Sequence, residues 1–232
     1  MRLKAENLSR KYHGKYALNN VSFALNGGDV CLLLGPNGSG KTTLMKLIAG
    51  LLSPSAGTVA LDDESIGTAT KRRVSYMPTE NYFYNYMTAR DAGKYYADFF
   101  PDFDRYAYES RLERAEVPMN GRIRTLSSGM SAKLRLSLAL SRDADVMMFD
   151  EPINGVDMIT RDWVIGEIAA RRDSGRILLI STHLVEQVES LANRALFLSH
   201  GELVRAGSMD EVRGGRALED VYREVYGGEG VC

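Results

Sequence analysis

The 232-residue sequence predicts an α/β fold: a mostly parallel sheet covered by helices, with an N-terminal antiparallel β-subdomain and an inserted helical subdomain. Three observations predict it. Short β-type runs alternate with helical ones, the pattern of strands joined by helical crossovers. Residues 30–34, VCLLL, form an unbroken apolar run suited to a strand buried on both faces. Between about 82 and 142 the alternation gives way to a stretch richer in helical signals, which marks the insertion. Internal repeats, low-complexity tracts and long linkers are absent from the sequence. Residues 1–232 are therefore expected to form a single domain, at the upper end of what one α/β core occupies.

Taken in order, residues 1–30 read as short strands with turns at Gly14 and at Asn26-Gly27-Gly28. After the strand at 30–34 comes a turn at 35–40. Residues 42–52 follow, with apolar side chains at 44, 45, 47, 48, 51 and 52 in a helical pattern that Ser53-Pro54-Ser55 ends. Residues 57–77 read as further strands. The helical signals of the insertion include 105–116 and 131–141. A strand at 146–149, a helix at 158–172, a strand at 177–180 and a helix at 184–192 resume the alternation. A hairpin around His200-Gly201 and a short helical tail close the chain.

Charge and cysteine content narrow the function classes. Lys plus Arg (29) nearly cancels Asp plus Glu (30), so the chain lacks the basic excess that tracking a nucleic-acid backbone requires, and no nucleic-acid partner is expected. Cys31 lies inside an apolar run and Cys232 is the last residue, a usage that fits a reducing compartment without structural disulfides. Cys232 is also misplaced for prenylation. The N-terminus, MRLKAENLSRKY, lacks the apolar centre of a signal peptide, and no apolar run approaches the roughly 18 residues of a membrane span. The expectation is a cytoplasmic chain that touches a membrane only through a partner.

The chemistry is concentrated in four places. Gly35-Pro36-Asn37-Gly38-Ser39-Gly40-Lys41-Thr42 fits the phosphate-binding pattern G-x-x-x-x-G-K-[ST], between a strand and a helix as that motif demands. Glycines allow backbone N–H groups to curl around phosphate oxygens, and the helix N-terminus adds its partial positive charge. Lys41 is expected to reach the β and γ phosphates and the Thr42 hydroxyl to ligate Mg²⁺. Residues 146–152, VMMFDEP, form an apolar strand ending in two carboxylates, as in a Walker B strand. Asp150 is placed to hold Mg²⁺ and Glu151 to accept a proton from an attacking water or to orient it. His183, in the phrase LLISTHL, sits at a strand's C-terminal edge and can donate to the γ-phosphate. His13 and His200 are read as ordinary surface or turn residues. The fourth place is Leu126-Ser127-Ser128-Gly129-Met130, a second small turn whose purpose the phosphate loop leaves open. On its own residues it also fits a helix N-cap built of Ser127 and Ser128 with Gly129 as turn residue.

With these motifs in this order and spacing, the chain resembles the ATP-binding subunit of an ABC transporter over nearly its whole length. The resemblance implies roles for further residues. Tyr12, before Ala17-Leu18, is similar to the family's adenine-stacking aromatic; Gly35 to Thr43 is its P-loop; Asn154-Gly155-Val156-Asp157 is its D-loop; and His183 is its switch histidine. LSSGM resembles the signature motif, usually Leu-Ser-Gly-Gly-Gln, so Ser127 and the Gly129 backbone are expected to serve the ATP of a second ATPase subunit, either a copy of this chain or a related one. ATP and Mg²⁺ are the implied ligands, and an integral membrane permease is the implied partner. The chain would then sit on the inner face of the membrane.

Two departures from the family pattern stand out. Met130 occupies the place of the signature Gln. Thr79, in Ser75-Tyr76-Met77-Pro78-Thr79-Glu80, occupies that of the Q-loop Gln, and its shorter side chain leaves three readings there for Mg²⁺ and water: Thr79 acts through a bridging water, Glu80 substitutes, or the coupling is weaker. Tyr82-Phe83-Tyr84-Asn85-Tyr86-Met87 packs four aromatics into six residues where the family docks its permease, although part of this run fits ordinary packing. The Leu-Ser-x-Gly-Met variant looks more like exporters of the drug or peptide type. A soluble, non-transport ABC ATPase is the alternative, but such proteins usually carry two ATPase halves or a long coiled-coil insertion.

Overall fold

The computed structural model describes residues 1–227; Cys232 lies outside the described residues. The chain begins with β1 (Arg2–Tyr12) and β2 (Lys15–Asn26), an antiparallel hairpin closed by His13 and Gly14, both in the left-handed conformation that two-residue hairpin turns favour. Both strands are longer than the short strands expected. Register shifts interrupt their pairing, and Asn7 and Asn20 take positive φ, so the side-chain alternation breaks inside continuous strands. There follow β3 (Val30–Leu34), α1 (Lys41–Ile48), β4 (Ala56–Leu61), β5 (Glu64–Ser65), the single-turn α2 (Thr68–Lys71) and β6 (Val74–Met77). The α2 turn was not anticipated among the strands of 57–77.

The insertion supplies α3 (Ala89–Phe99), α4 (Arg105–Arg114) and α5 (Ser128–Leu140). The remainder is β7 (Val146–Asp150), α6 (Met158–Ala169), β8 (Ile177–Thr182), α7 (Val185–Val188), β9 (Arg194–Ser199), β10 (Glu202–Ser208), α8 (Met209–Arg213) and α9 (Leu218–Tyr226). Three helices, α1, α6 and α7, end three or four residues before the expected limits, each for a local reason. Gly50 turns left-handed and the Leu51 and Leu52 amides fold back on the Lys46 carbonyl, closing α1. Past α6 the chain tightens into a 3-10 turn at Arg172–Ser174, and past α7 into another at Glu189–Leu191.

Two sheets result. The first has the order β2-β1-β4-β5 and is antiparallel; the second has the order β10-β9-β3-β8-β7-β6, parallel except for β10. In the second sheet, β3, β8, β7 and β6 lie side by side and point the same way. The segments following all four therefore leave along one edge, where such sheets bind ligands.

The central strands are buried on both faces, as VCLLL implied. Val30, Leu32 and Leu34 pack with Met147, Phe149, Leu178 and Ile180 against α5, α6 and the C-terminal helices. Cys31 and Leu33 face the other way, toward α1 and the first sheet, with Val146, Met148, Ile177 and Leu179. A third apolar cluster, with Phe83, Tyr96, Phe103, Tyr108 and Leu112, belongs to the helical insertion. Helix α5 joins the layers, because Leu134 and Leu138 enter that third cluster while Leu136, Ala139 and Leu140 enter the main core.

Candidate active site

The loop after β3 turns into α1 through Gly40 at φ 109. A side chain there would be strained by its backbone and would bring its Cβ to 2.5 Å from the Ala17 carbonyl, so only glycine fits. Because glycine is also the N-cap of α1, no side chain caps the helix, and its first-turn N–H groups remain available to an anion. Lys41, on the first turn, is buried at 6% exposure. Its Nζ donates to the carbonyls of Gly35 (2.7 Å) and Pro36 (3.1 Å) and stands 3.4 Å from Glu151 Oε1.

Asp150 ends β7 in full burial, surrounded by hydroxyl donors. Ser181 Oγ donates to its Oδ1 (2.6 Å); Thr42 Oγ1 (2.8 Å) and Tyr76 OH (3.1 Å) donate to its Oδ2. Burial, and secondarily the Asp150 charge, push the Tyr76 phenol well up, so it stays a donor. Thr79 Oγ1 donates to the Asp150 main-chain carbonyl at 3.1 Å. Thr79 is thus next to the carboxylate strand but bonds its backbone.

Glu151 follows at φ 48, a left-handed conformation that costs a non-glycine residue and turns its side chain away from the line of the strand. Its amide is held by Ser181 Oγ (2.9 Å). The carboxylate lies between two cationic or polar partners, Lys41 at Oε1 and His183 Nδ1 at Oε2 (3.0 Å). Oε1 is buried and has no hydrogen bond of its own. A cavity of about 960 Å³ opens over Lys41, Asp150 and Glu151, lined also by Asn37, Gly38, Gly40, Thr42, Thr43 and Thr79; His183 does not line it and meets the site through Glu151.

These residues fit a nucleotide and its metal. The uncapped α1 terminus and Lys41 offer N–H donors to phosphate, and the Thr42 hydroxyl beside the Asp150 carboxylate is a hard-oxygen pair. Mg²⁺ is usually held by one or two such groups together with substrate phosphates and water. Ser39 is buried, with its Oγ unpartnered and its carbonyl tied to Gly201 N at 3.0 Å, which fixes the loop from behind.

Other predicted residues lie elsewhere. Ser127 is exposed and caps α5 by accepting from Met130 N at 3.2 Å, so the helix begins at Ser128 rather than at 131 and Gly129 is a helical residue. A Cβ on Gly129 would lie 2.7 Å from Thr160 Oγ1 and 3.2 Å from Asp157 Oδ2, so this glycine allows α5 to approach the start of α6. Asp157 caps α6 through Thr160 N (2.9 Å) and accepts from Thr160 Oγ1 (2.8 Å), bonds that hold its carboxyl below the usual range. Residues 126–130 and Asp157 do not line the 960 Å³ cavity. Tyr12 does not line it either and lies under the Arg10 guanidinium, 4.9 Å from its ring centroid. In the aromatic run, Phe83 and Met87 are buried, and Tyr82 bonds Tyr96 through their hydroxyls. Tyr84 and Tyr86 are exposed and stacked, with centroids 5.4 Å apart.

Sequence reasoning missed Ser181 and Tyr76. Both sit on strands flanking β7, one on each side, and only the strand order reveals that they converge on Asp150.

The comparisons with known proteins agree with this geometry. A family model described as ABC transporter matches residues 18–154, more than half of the chain. The ABC transporter ATP-binding protein YtrB of Bacillus subtilis (strain 168) is 31% identical, over 91% of this chain and 73% of its own length. The lipopolysaccharide export system ATP-binding protein LptB of Escherichia coli (strain K12) is 29% identical, over 98% of this chain and 97% of its own. A solved ATP-binding subunit of an ABC transporter superposes with a TM-score of 0.86 at 25% identity, covering 97% of this chain and 99% of that one. A dimeric ATP-binding cassette in a post-hydrolysis state, bound to ADP and Pi, shares the fold with a TM-score of 0.80 at 20% identity, covering 89% and 98%. The phosphate loop, the buried carboxylate strand and these similarities together establish that the chain belongs to the ABC transporter family, as an ATP-binding subunit.

Proposed function

We propose that the chain is a Mg²⁺-dependent ATPase that dimerises head to tail around two ATP molecules and drives a separate membrane permease, in the direction of export. The convergence of Lys41, Thr42, Asp150, Glu151 and His183 on one sheet edge carries this reading. Lys41 and the α1 terminus bind the phosphates. Thr42 and Asp150 would hold Mg²⁺, which neutralises phosphate charge when bound. Glu151 takes the proton of the water that attacks the γ-phosphorus, and the bond from that phosphorus to ADP breaks. His183, bonded to Glu151, orients the carboxylate and reaches the γ-phosphate.

Lys41 is held by two loop carbonyls and stands beside Glu151. Phosphate offers it better acceptors, so binding would also free the Glu151 carboxylate. Dimerisation is supported by the exposure of Ser127 and by the absence of residues 126–130 from the cavity lining of their own chain. Tyr12, outside the cavity lining, would stack on the adenine.

Among the described residues no helix is long and apolar enough to cross a membrane. The exposed Tyr84 and Tyr86 supply a surface suited to a permease, which would hold the chain on the inner face of the membrane. The name of LptB, a relative from an export system, favours export.

Glu151→Gln tests the central claim. It preserves size and polarity but removes the base, so ATP binding persists while turnover falls by about 10² or more. Normal turnover in this variant would refute the role of Glu151.

A further inference from the structure

Arg135 projects from α5 into the loop that follows β6. Its Nη1 donates to the Pro78 carbonyl at 2.7 Å and to the Thr79 carbonyl, and its Nε reaches the Ser131 carbonyl at 3.4 Å. Among the described residues it forms no ion pair with a carboxylate, although it is half-buried and burial holds its pKa below the usual arginine value. A guanidinium in that position needs main-chain acceptors to offset its lost hydration. The same short loop is tied twice more: Thr79 Oγ1 to the Asp150 carbonyl, and Tyr82 to Tyr96 of α3. The loop therefore spans from the carboxylate strand to two helices of the insertion.

We propose that Arg135 is a positioning residue of the ATPase site, holding residues 78–79 so that Thr79 stays on Asp150 and movement of α5 is passed to the site through the main chain. The Thr79 hydroxyl ties the loop to Asp150, and Arg135 ties the same loop to α5 through the carbonyls of Pro78 and Thr79. The helix it stands on begins at the signature, so a partner that shifts α5 would pull on the carboxylate strand through two short hydrogen-bonded steps. This inference rests on the ATPase reading above.

The test uses the full chain with Arg135→Met, Thr79→Val and the double variant, and Arg135→Lys as the conservative replacement. Amide hydrogen exchange of Phe83 and Met87, whose N–H groups donate to Asn81 Oδ1 (3.1 Å) and to the Tyr84 carbonyl (3.0 Å) where the loop enters the insertion, measured without added nucleotide, should rise about tenfold or more in Arg135→Met and recover in part in Arg135→Lys. Steady-state ATPase assays should show kcat falling about tenfold in each single variant with KM changed less than about threefold, and no further fall in the double variant, because both act through one contact. Unchanged loop exchange, a change confined to KM, or losses that multiply in the double variant would each overturn the proposal. If Arg135→Met does not fold, Arg135→Gln takes its place with the same expectations. If the unmutated protein binds ATP without hydrolysing it, the ATPase reading fails, while the exchange result still decides whether Arg135 holds the loop.

Discussion

Gly129 illustrates how one residue can satisfy two readings of a motif. In the sequence it belongs to a turn suited to a neighbour's phosphate; in the structure its missing side chain lets α5 meet Thr160 and Asp157. Alanine would add about 1 kcal/mol of helix propensity. Its Cβ, however, would lie 2.7 Å from a Thr160 hydroxyl already committed to Asp157, and overpacking of this kind costs about 1–3 kcal/mol. Gly129→Ala is therefore expected to lower the thermal midpoint by a few degrees, about 2–4 °C per kcal/mol for a chain of this size. In a Thr160→Ala background the 2.7 Å contact is gone and only the milder one to Asp157 Oδ2, at 3.2 Å, remains, so the same change should cost much less or nothing. Equal losses in both backgrounds, read by thermal unfolding, would contradict the packing explanation.

The aromatic run after β6 divides between core and surface: Phe83 and Met87 enter the core of the insertion, while Tyr84 and Tyr86 are 67% and 72% exposed. Exposed changes away from packing and caps usually stay within about 0.5 kcal/mol. Changing Tyr84 and Tyr86 together to Ala should thus preserve folding and ATP binding. If these rings are anchors for the permease, the same variant should weaken association with it by about tenfold or more, since buried interface tyrosines often dominate binding. Normal association with the permease, measured by co-purification, would show the rings to be inert there.

For the whole molecule the question is whether Ser127 acts across a dimer. Lys41→Ala weakens a chain's own phosphate grip, and Ser127→Arg places a bulky cation at the exposed start of α5. Each variant alone makes only defective composite sites. A mixed dimer pairs an intact phosphate loop with an intact signature at one of its two sites. With Glu151→Gln added to both chains to slow hydrolysis, nucleotide-dependent dimerisation should be stronger in the mixture than in either variant alone. Ser127 is also the cap of α5, worth about 1 kcal/mol in typical helices, so the folded state of Ser127→Arg is checked by its thermal midpoint. No gain at any mixing ratio between folded variants would mean that LSSGM acts within its own chain or that the partner is a different subunit.

The sequence by itself determined the α/β class, the doubly buried central strand, the phosphate loop and the carboxylate pair, because each depends on residues adjacent in the chain: periodicity, glycine spacing and an apolar run ending in Asp150-Glu151. Ser127 as a cap was likewise legible locally. Tertiary structure alone decided that β6 and β8 flank β7, and with that the convergence of Tyr76 and Ser181 on Asp150. It also decided the clamp of Arg135 on the loop carbonyls and the close approach of Gly129 to Thr160. A strand's periodicity shows which side chains share a face, but carries no record of which strand lies beside it; that order follows from the packing of crossovers over the whole sheet.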